Sequence, residues 1–402
     1  MTKHIIIAGS GFAGTWSALS AARAVALAGK AESIEITVIS PEPSLHIRPR
    51  LYEAVIENMD PDVGKLFAAV GVKHVAGTVE NIHSDWHQVE VQLPNGERKK
   101  FAYDKFILAA GSRLFQPPVP GLREHVFNVD QLATAKVLDQ HLKALPGRPP
   151  SPARNTVVVA GGGFTGIETV AEMPQRLREI FGAEVEFRVV VVEQAPEIGP
   201  DLGPGPRPFI EEALAQEGIE IITGTGVAAI TGDSVTLGTG EVIATHTVVW
   251  TAGARANKLA AQIPGDHDRF GRVDADPYLH AKKAKDIFVT GDVALAATDN
   301  LGNNAAMSCQ HALSLGRVAG HNAAAELVGL KLHPYSQPKY VTCLDLGPWG
   351  AIFSEGWDRQ VKFTRDEGKA IKREINTKWI YPPMADRDAV FAVANPDYVI
   401  VP

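Results

Sequence analysis

Two glycine clusters and one carboxylate carry the most legible chemistry in this chain. Gly9, Gly11 and Gly14 stand as GxGxxG in "IIIAGSGFAG", and Gly161, Gly163 and Gly166 repeat the spacing in "VVVAGGGFTGIE". Glycines so spaced suit a pyrophosphate. The first allows a tight turn, the second lets the backbone approach the phosphates, and the third lets helix and strand pack closely. The helix that starts there turns its free N–H groups and the positive end of its dipole toward the negative charge. Glu193 ends the strand "FRVVVVEQ" after the second cluster. A carboxylate at that point can bond both ribose hydroxyls of an adenosine and repels a 2′-phosphate, which favours NADH over NADPH. The next arginine, Arg207, lies beyond "APEIGPDLGPGP". The first cluster departs from this pattern. Its following strand ends in Ser40, with Glu42 two residues on, so its ribose contact stays open.

Each cluster needs a strand before it and a helix after it. Ile5–Ile7 is a short β-branched run that reads as a buried parallel strand. The alanine-rich "TWSALSAARAVALAG" reads as a helix, and "IEITVIS" as the returning strand. Thr156–Ala160, a helix from Ile167 and "FRVVVVEQ" repeat the arrangement. The repeat runs on. Gly71–Gly111 and Gly218–Gly253 both alternate strands with turn signals such as Asn95-Gly96, and both end in an apolar strand followed by Ala-Gly. Two related units with two cradles imply two dinucleotides. The fold expected is α/β: two Rossmann-like dinucleotide-binding domains, each with a small antiparallel meander, and a C-terminal α+β segment. The Pro-rich "ALPGRPPSPARN" reads as the crossing into the second unit.

Composition narrows the class. The 402 residues are 45% hydrophobic and 21% charged, ordinary for a soluble globular protein. A net charge of −7 argues against a nucleic-acid partner. Two cysteines, Cys309 and Cys343, make no disulfide framework and point to a reducing compartment. The N-terminus lacks a signal-peptide pattern, and no stretch is apolar enough to span a membrane. The expectation is a cytoplasmic protein, and no residues read as a metal site.

The motif order resembles the two-dinucleotide-binding flavoprotein reductases, the pyridine-nucleotide disulfide oxidoreductase superfamily, from residue 1 to about 330. "YDKFILAAGS", holding Gly111, and "VVWTAG", ending in Gly253, resemble its connecting motifs, and "DIFVTGDVA" resembles its second flavin motif. The resemblance implies FAD in the first unit, held by Gly9, Gly11, Gly14, Ser40, Arg48, Gly111, Gly291 and Asp292. Asp292 would bond the ribityl chain. It implies NADH in the second, held by Gly161, Gly163, Gly166, Glu193 and Gly253. The FAD domain would comprise residues 1–118 and 254–330, the NADH domain 119–253, and a capping segment 331–402.

Within the superfamily, "SLHIRPRLYEAVIEN" lacks the CxxxxC pair of the disulfide reductases. "GGGFTGIE" and "RPRLYEAV" are most similar to type II NADH dehydrogenases and their apoptosis-inducing-factor-like relatives. That likeness implies Glu168 near nicotinamide and flavin, although an acid there also suits a helix dipole. Arg48 would lie near the flavin or in a surface ion pair. Gln310 matches the first glutamine of the quinone-facing AQxxxQ pattern, but Ser314 replaces the second. The implied activity is NADH:acceptor oxidoreduction, with a soluble quinone or other small molecule as acceptor. A redox-responsive interaction protein and a membrane-associated NADH:quinone dehydrogenase are the alternatives. In the C-terminal segment, Ile371, Ile375 and Trp379 form one helical stripe with Lys372, Arg373 and Lys378 nearby. Such a stripe suits a membrane surface, the protein's own body or a second subunit in a homodimer.

Overall fold

Apolar runs that alternate with helices favour parallel strands covered on both faces. The computed structural model, which describes residues 2–182 and 184–401, follows that rule twice. A six-stranded sheet has the order His280–Ala281, Ala284–Val289, Lys105–Leu108, Lys3–Ala8, Ile34–Ser40, Lys73–Ala76. Its central strand is paired in parallel on both sides: Ile5 faces Ile36 on one and Lys105 on the other. Ile5, Ile7, Phe106, Ile107 and Phe288 are fully buried. Strand Ala284–Val289 adds beside Lys105–Leu108, so the chain leaves this sheet after Leu108 and returns late in the sequence.

The intervening stretch builds a second, all-parallel sheet of five strands, in the order Ile219–Ile222, Arg188–Val192, Thr156–Ala160, Thr247–Trp250, Val126–Phe127. Each sheet carries an antiparallel meander. One is Thr78–His83, Gln88–Gln92 and Arg98–Ala102. The other is Val227–Ile230, Ser234–Leu237 and Val242–Ala244. Strands Ser112–Leu114 and Ala254–Ala256 pair with each other and carry the chain between the two units.

Two helices meet at the first cradle. Phe12–Leu27 follows the glycines, and Cys309–Val328 crosses it at close range. A Cβ on Gly320 would fall 2.0 Å from the Ser17 carbonyl oxygen, and one on Gly316 2.5 Å from that of Ala13. Only glycine permits this approach, which lays the start of the first helix against the second.

The C-terminal segment is a sheet of Val341–Asp345, Ala351–Glu355 and Gln360–Phe363, then helix Arg365–Glu374, a wide turn Ile375–Trp379 and helix Arg387–Val393. Ile371 and Ile375 pack on Val341, Cys343 and Phe353 of this sheet. Trp349 is buried under the Arg365 guanidinium, 4.1 Å from its ring, and Trp357 stacks 4.5 Å from Tyr340. Ile371 and Ile375 of the stripe, and two of the three tryptophans, are therefore committed to the protein's own body. Of the basic residues near the stripe, Lys372 points inward, with a side chain only 7% exposed.

Candidate active site

The two cradles have the same geometry. Gly9 and Gly161 take φ of +109° and +114°, left-handed values that glycine adopts without strain. A Cβ on Gly14 would sit 1.9 Å from the Gly9 carbonyl oxygen, and one on Gly166 1.8 Å from that of Gly161. The third glycine of each cluster is thus fixed by helix–strand contact. The second glycines, Gly11 and Gly163, meet nothing within 4 Å, so their faces are open to a ligand. Each is the N-cap of its helix, and neither cap carries a side-chain hydrogen bond. Open backbone at an uncapped helix N-terminus fits a pyrophosphate at both places.

Around the first cradle the chain gathers a charged set. Asp292 accepts from the Ser112 hydroxyl at 2.6 Å and lies 3.5 Å from the Arg48 guanidinium. Arg48 also donates to the Asp130 carboxylate at 2.5 Å and to the Asp130 carbonyl at 3.0 Å. Gly291, with φ +66°, passes so close to the first cradle's helix that a Cβ would lie 2.7 Å from that of Ala13. Arg48, Gly111, Gly291 and Asp292 are thereby brought to one edge, and Gly111 lies beside Arg48. Ser40 behaves differently. Its buried hydroxyl donates to the Glu42 carbonyl at 2.7 Å and pairs with His74 at 2.9 Å, so it is occupied within the loop.

At the second cradle, Glu193 accepts from the Gly162 N–H at 2.6 Å and the Ala195 N–H at 2.8 Å. These bonds fix the carboxylate against the cradle and leave lone pairs for a ribose. Arg207 is tied elsewhere, 2.8 Å from Glu197 and donating to the Ile198 carbonyl. Gly253, with φ +79°, accepts from the Phe115 N–H where the chain passes between units.

Between the units lies a buried polar cluster. Glu168 sits on helix Phe164–Phe181, only 4% exposed, and accepts from the Lys372 ammonium at 2.7 Å and the Asp345 N–H at 3.1 Å. Burial pushes its carboxyl up to about 7, with Lys372 pulling the other way. Burial would lower the Lys372 ammonium, but the Glu168 carboxylate outweighs it and holds it above the ordinary lysine value. Asp345 accepts from the Tyr52 hydroxyl at 3.1 Å and from Lys369 at 2.5 Å. The same ammonium is felt by Cys309, the first residue of helix Cys309–Val328, which also feels Asp292. Tyr52 comes from the first unit, Glu168 from the second, and Asp345 and Lys372 from the C-terminal segment, so the cluster joins all three. Burial raises the thiols of Cys309 and Cys343 to about 11 and about 12, so both stay protonated at neutral pH and unlike redox thiolates. On the same helix, Gln310 has a buried side-chain oxygen with no partner.

Sequence reasoning named Glu168, Gln310, Arg48 and Asp292 but missed their partners Lys372, Asp345, Tyr52, Ser112 and Asp130. A signal existed for Lys372: a lysine next to an apolar stripe that binds its own protein has one route to an inward position. Asp345 and Asp130 left none, since an acid in a loop reads as solvated.

Comparison with known proteins agrees with the geometry. Residues 3–316 match the family model described as pyridine nucleotide-disulphide oxidoreductase. An NADH dehydrogenase-like protein of Mycobacterium tuberculosis is 42% identical over 98% of both chains. A demethylphylloquinone reductase of Synechocystis is 28% identical over 87% of this chain and 86% of its own. Among solved structures, an NDH2 from Plasmodium falciparum in complex with NADH superposes with a TM-score of 0.77 at 13% identity, over 98% of this chain and 97% of the other. With two open cradles, a carboxylate at the second and this match, the chain belongs to the pyridine nucleotide-disulphide oxidoreductase family and is an NADH-dependent flavoprotein oxidoreductase that uses FAD.

Proposed function

We propose that the protein passes electrons from NADH to a small water-soluble quinone, and that it works in the cytoplasm. The observation that carries this reading is the buried Glu168–Lys372 pair where the units meet, and the buried Gln310 oxygen at the start of helix Cys309–Val328 has no partner. A quinone takes up two electrons and two protons, so its reduction needs a proton source beside the electron donor. A carboxyl titrating near 7 suits that task. The relatives whose names specify an acceptor name quinones.

FAD when bound supplies a two-electron store that a hydride from NADH can fill and an acceptor can empty. The chain's own work is placement. Gly11 and Gly163 admit the two pyrophosphates, Asp292 with Ser112 and Arg48 presents a fixed acceptor to the flavin's sugar chain, and Glu193 holds the adenosine ribose of NADH. Glu168 and Lys372 hold a proton where the helix after the second cradle meets the C-terminal segment. Asp345 connects this pair to Lys369, whose side chain is 35% exposed and offers a way to solvent.

No helix among the described residues is long and apolar enough to cross a membrane. Ile371 and Ile375 of the C-terminal stripe that would lie on a lipid surface pack against the protein's own sheet. Both points favour a short-tailed acceptor over a lipid-dissolved one. The test is steady-state turnover with NADH and quinones of graded tail length, together with fractionation of source cells. Fast turnover on short-tailed quinones by the soluble fraction supports the reading. Turnover confined to long-tailed quinones in the membrane fraction overturns it.

A further inference from the structure

A cavity lies away from both cradles, and the geometry points to a second ligand site there, for a small flat organic anion. Its volume is about 370 Å³, at the lower end of the range for small-molecule sites. It opens at the outer edge of the five-stranded sheet, beside strand Val126–Phe127. His246 lines it and immediately precedes strand Thr247–Trp250. That strand runs parallel to Thr156–Ala160, whose far end carries the second cradle. The cavity therefore lies at the opposite end of the strands from the dinucleotide.

The walls are built and held. His141 stacks on Phe127 with ring centroids 4.1 Å apart, and its Nε2 is 2.8 Å from the Thr247 hydroxyl. Burial first, then Arg148 and His246, push this imidazole down to about 4, so it is a neutral flat wall at pH 7. Val137, from the same helix, adds an apolar side. The backbones that carry Arg148 and His246 are tied in place. Arg154, itself buried, donates to the Arg148 carbonyl at 3.0 Å, and the His246 N–H donates to the Ala153 carbonyl at 2.8 Å. His246 has its Nε2 3.2 Å from Asp233, while its Nδ1 is buried with no partner. No group of three or more histidines, cysteines or acids among the described residues is arranged for a metal. What remains is the Arg148 guanidinium beside a stacked aromatic wall. That combination suits a carboxylate or phosphate on a planar body. Glu124 and Asn128, also in the lining, can take a ligand hydroxyl.

The experiment is isothermal titration of the FAD-loaded protein, saturated with NAD so that the second cradle is filled. The probes are 4-hydroxybenzoate, adenosine monophosphate and inorganic phosphate. Saturable binding of either organic anion is expected, at least tenfold tighter than phosphate, and the tighter probe identifies the head group. Arg148→Gln should weaken it at least tenfold. Val137→Glu, at an exposed helix position, should abolish it by placing like charge in the cavity. Flavin content should be unchanged in both variants, because neither position touches a cradle. No heat from any probe at millimolar concentration, phosphate binding as tightly as the organic anions, or binding unaltered in both variants would each overturn the inference. None of these results bears on the quinone reading, which is tested by turnover.

Discussion

Glu168 and Lys372 show how much one buried pair decides. Each charge alone would be costly in that position, and each makes the other tolerable. Lys372→Ala should therefore destabilise the fold by about 3–5 kcal/mol, because it leaves a buried carboxyl unpaired. Lys372→Met combined with Glu168→Gln should recover most of the loss, and thermal or denaturant unfolding of the three variants measures the coupling. The pH dependence has a definite sign. The folded carboxyl titrates near 7 and an unfolded one near 4.5, so the folded state binds more protons in between. Stability contributed by this group falls as pH rises from about 4.5 to about 7 and then levels off. Glu168→Gln should flatten that segment of the unfolding profile and remove an inflection near 7 from acceptor turnover. At the second cradle, Glu193→Ser should narrow the preference for NADH over NADPH, read as a smaller ratio of their kcat/KM values. An unchanged ratio would show that the carboxylate does not face the ribose.

At the scale of elements, the contact between helices Phe12–Leu27 and Cys309–Val328 positions the flavin side of the site. Gly320→Ala would force a Cβ to within 2.0 Å of the Ser17 carbonyl, and backbone cannot yield as a side chain tip would. Overpacking of this kind costs roughly 1–3 kcal/mol, and here it would also part the two helices. Lower melting temperature together with weaker FAD retention, followed by absorbance after gel filtration, is the expected outcome. The sequence was most informative at this scale. Apolar runs ending in GxGxxG have few alternatives to strand, turn and helix, and the meanders announced themselves through turns such as Asn95-Gly96. The glycines of helix Cys309–Val328 were not legible, because a glycine inside a helix is silent until its neighbour is known. Lys372 was legible only as a lysine beside an apolar stripe; its partner, Glu168, lies far away in the chain. Ser40 was legible as a departure, and the structure supplies its local reason: the hydroxyl is spent on Glu42 and His74.

For the whole molecule, the C-terminal segment joins the two units. It supplies Lys372, Asp345 and Lys369 to the cluster where the units meet. Its last helix is clasped to the first unit, where Arg317 donates to the Val393 carbonyl at 2.7 Å and Arg23 to that of Phe391 at 3.0 Å. Truncation before Lys331 would uncover this surface and leave Glu168 without its ammonium. The expected result is aggregation, or a fold that keeps flavin but has lost acceptor turnover, read by light scattering and by assay with a soluble quinone. The account's central claim is a single path from NADH through a tightly held flavin to a small quinone. Anaerobic stopped-flow absorbance tests it most directly. On mixing with NADH, the visible absorbance of the oxidised flavin should bleach rapidly, with NADPH much slower, and a short-tailed quinone should restore it within the turnover time. A band that NADH fails to bleach, or one that bleaches and does not return with any soluble quinone, would contradict it.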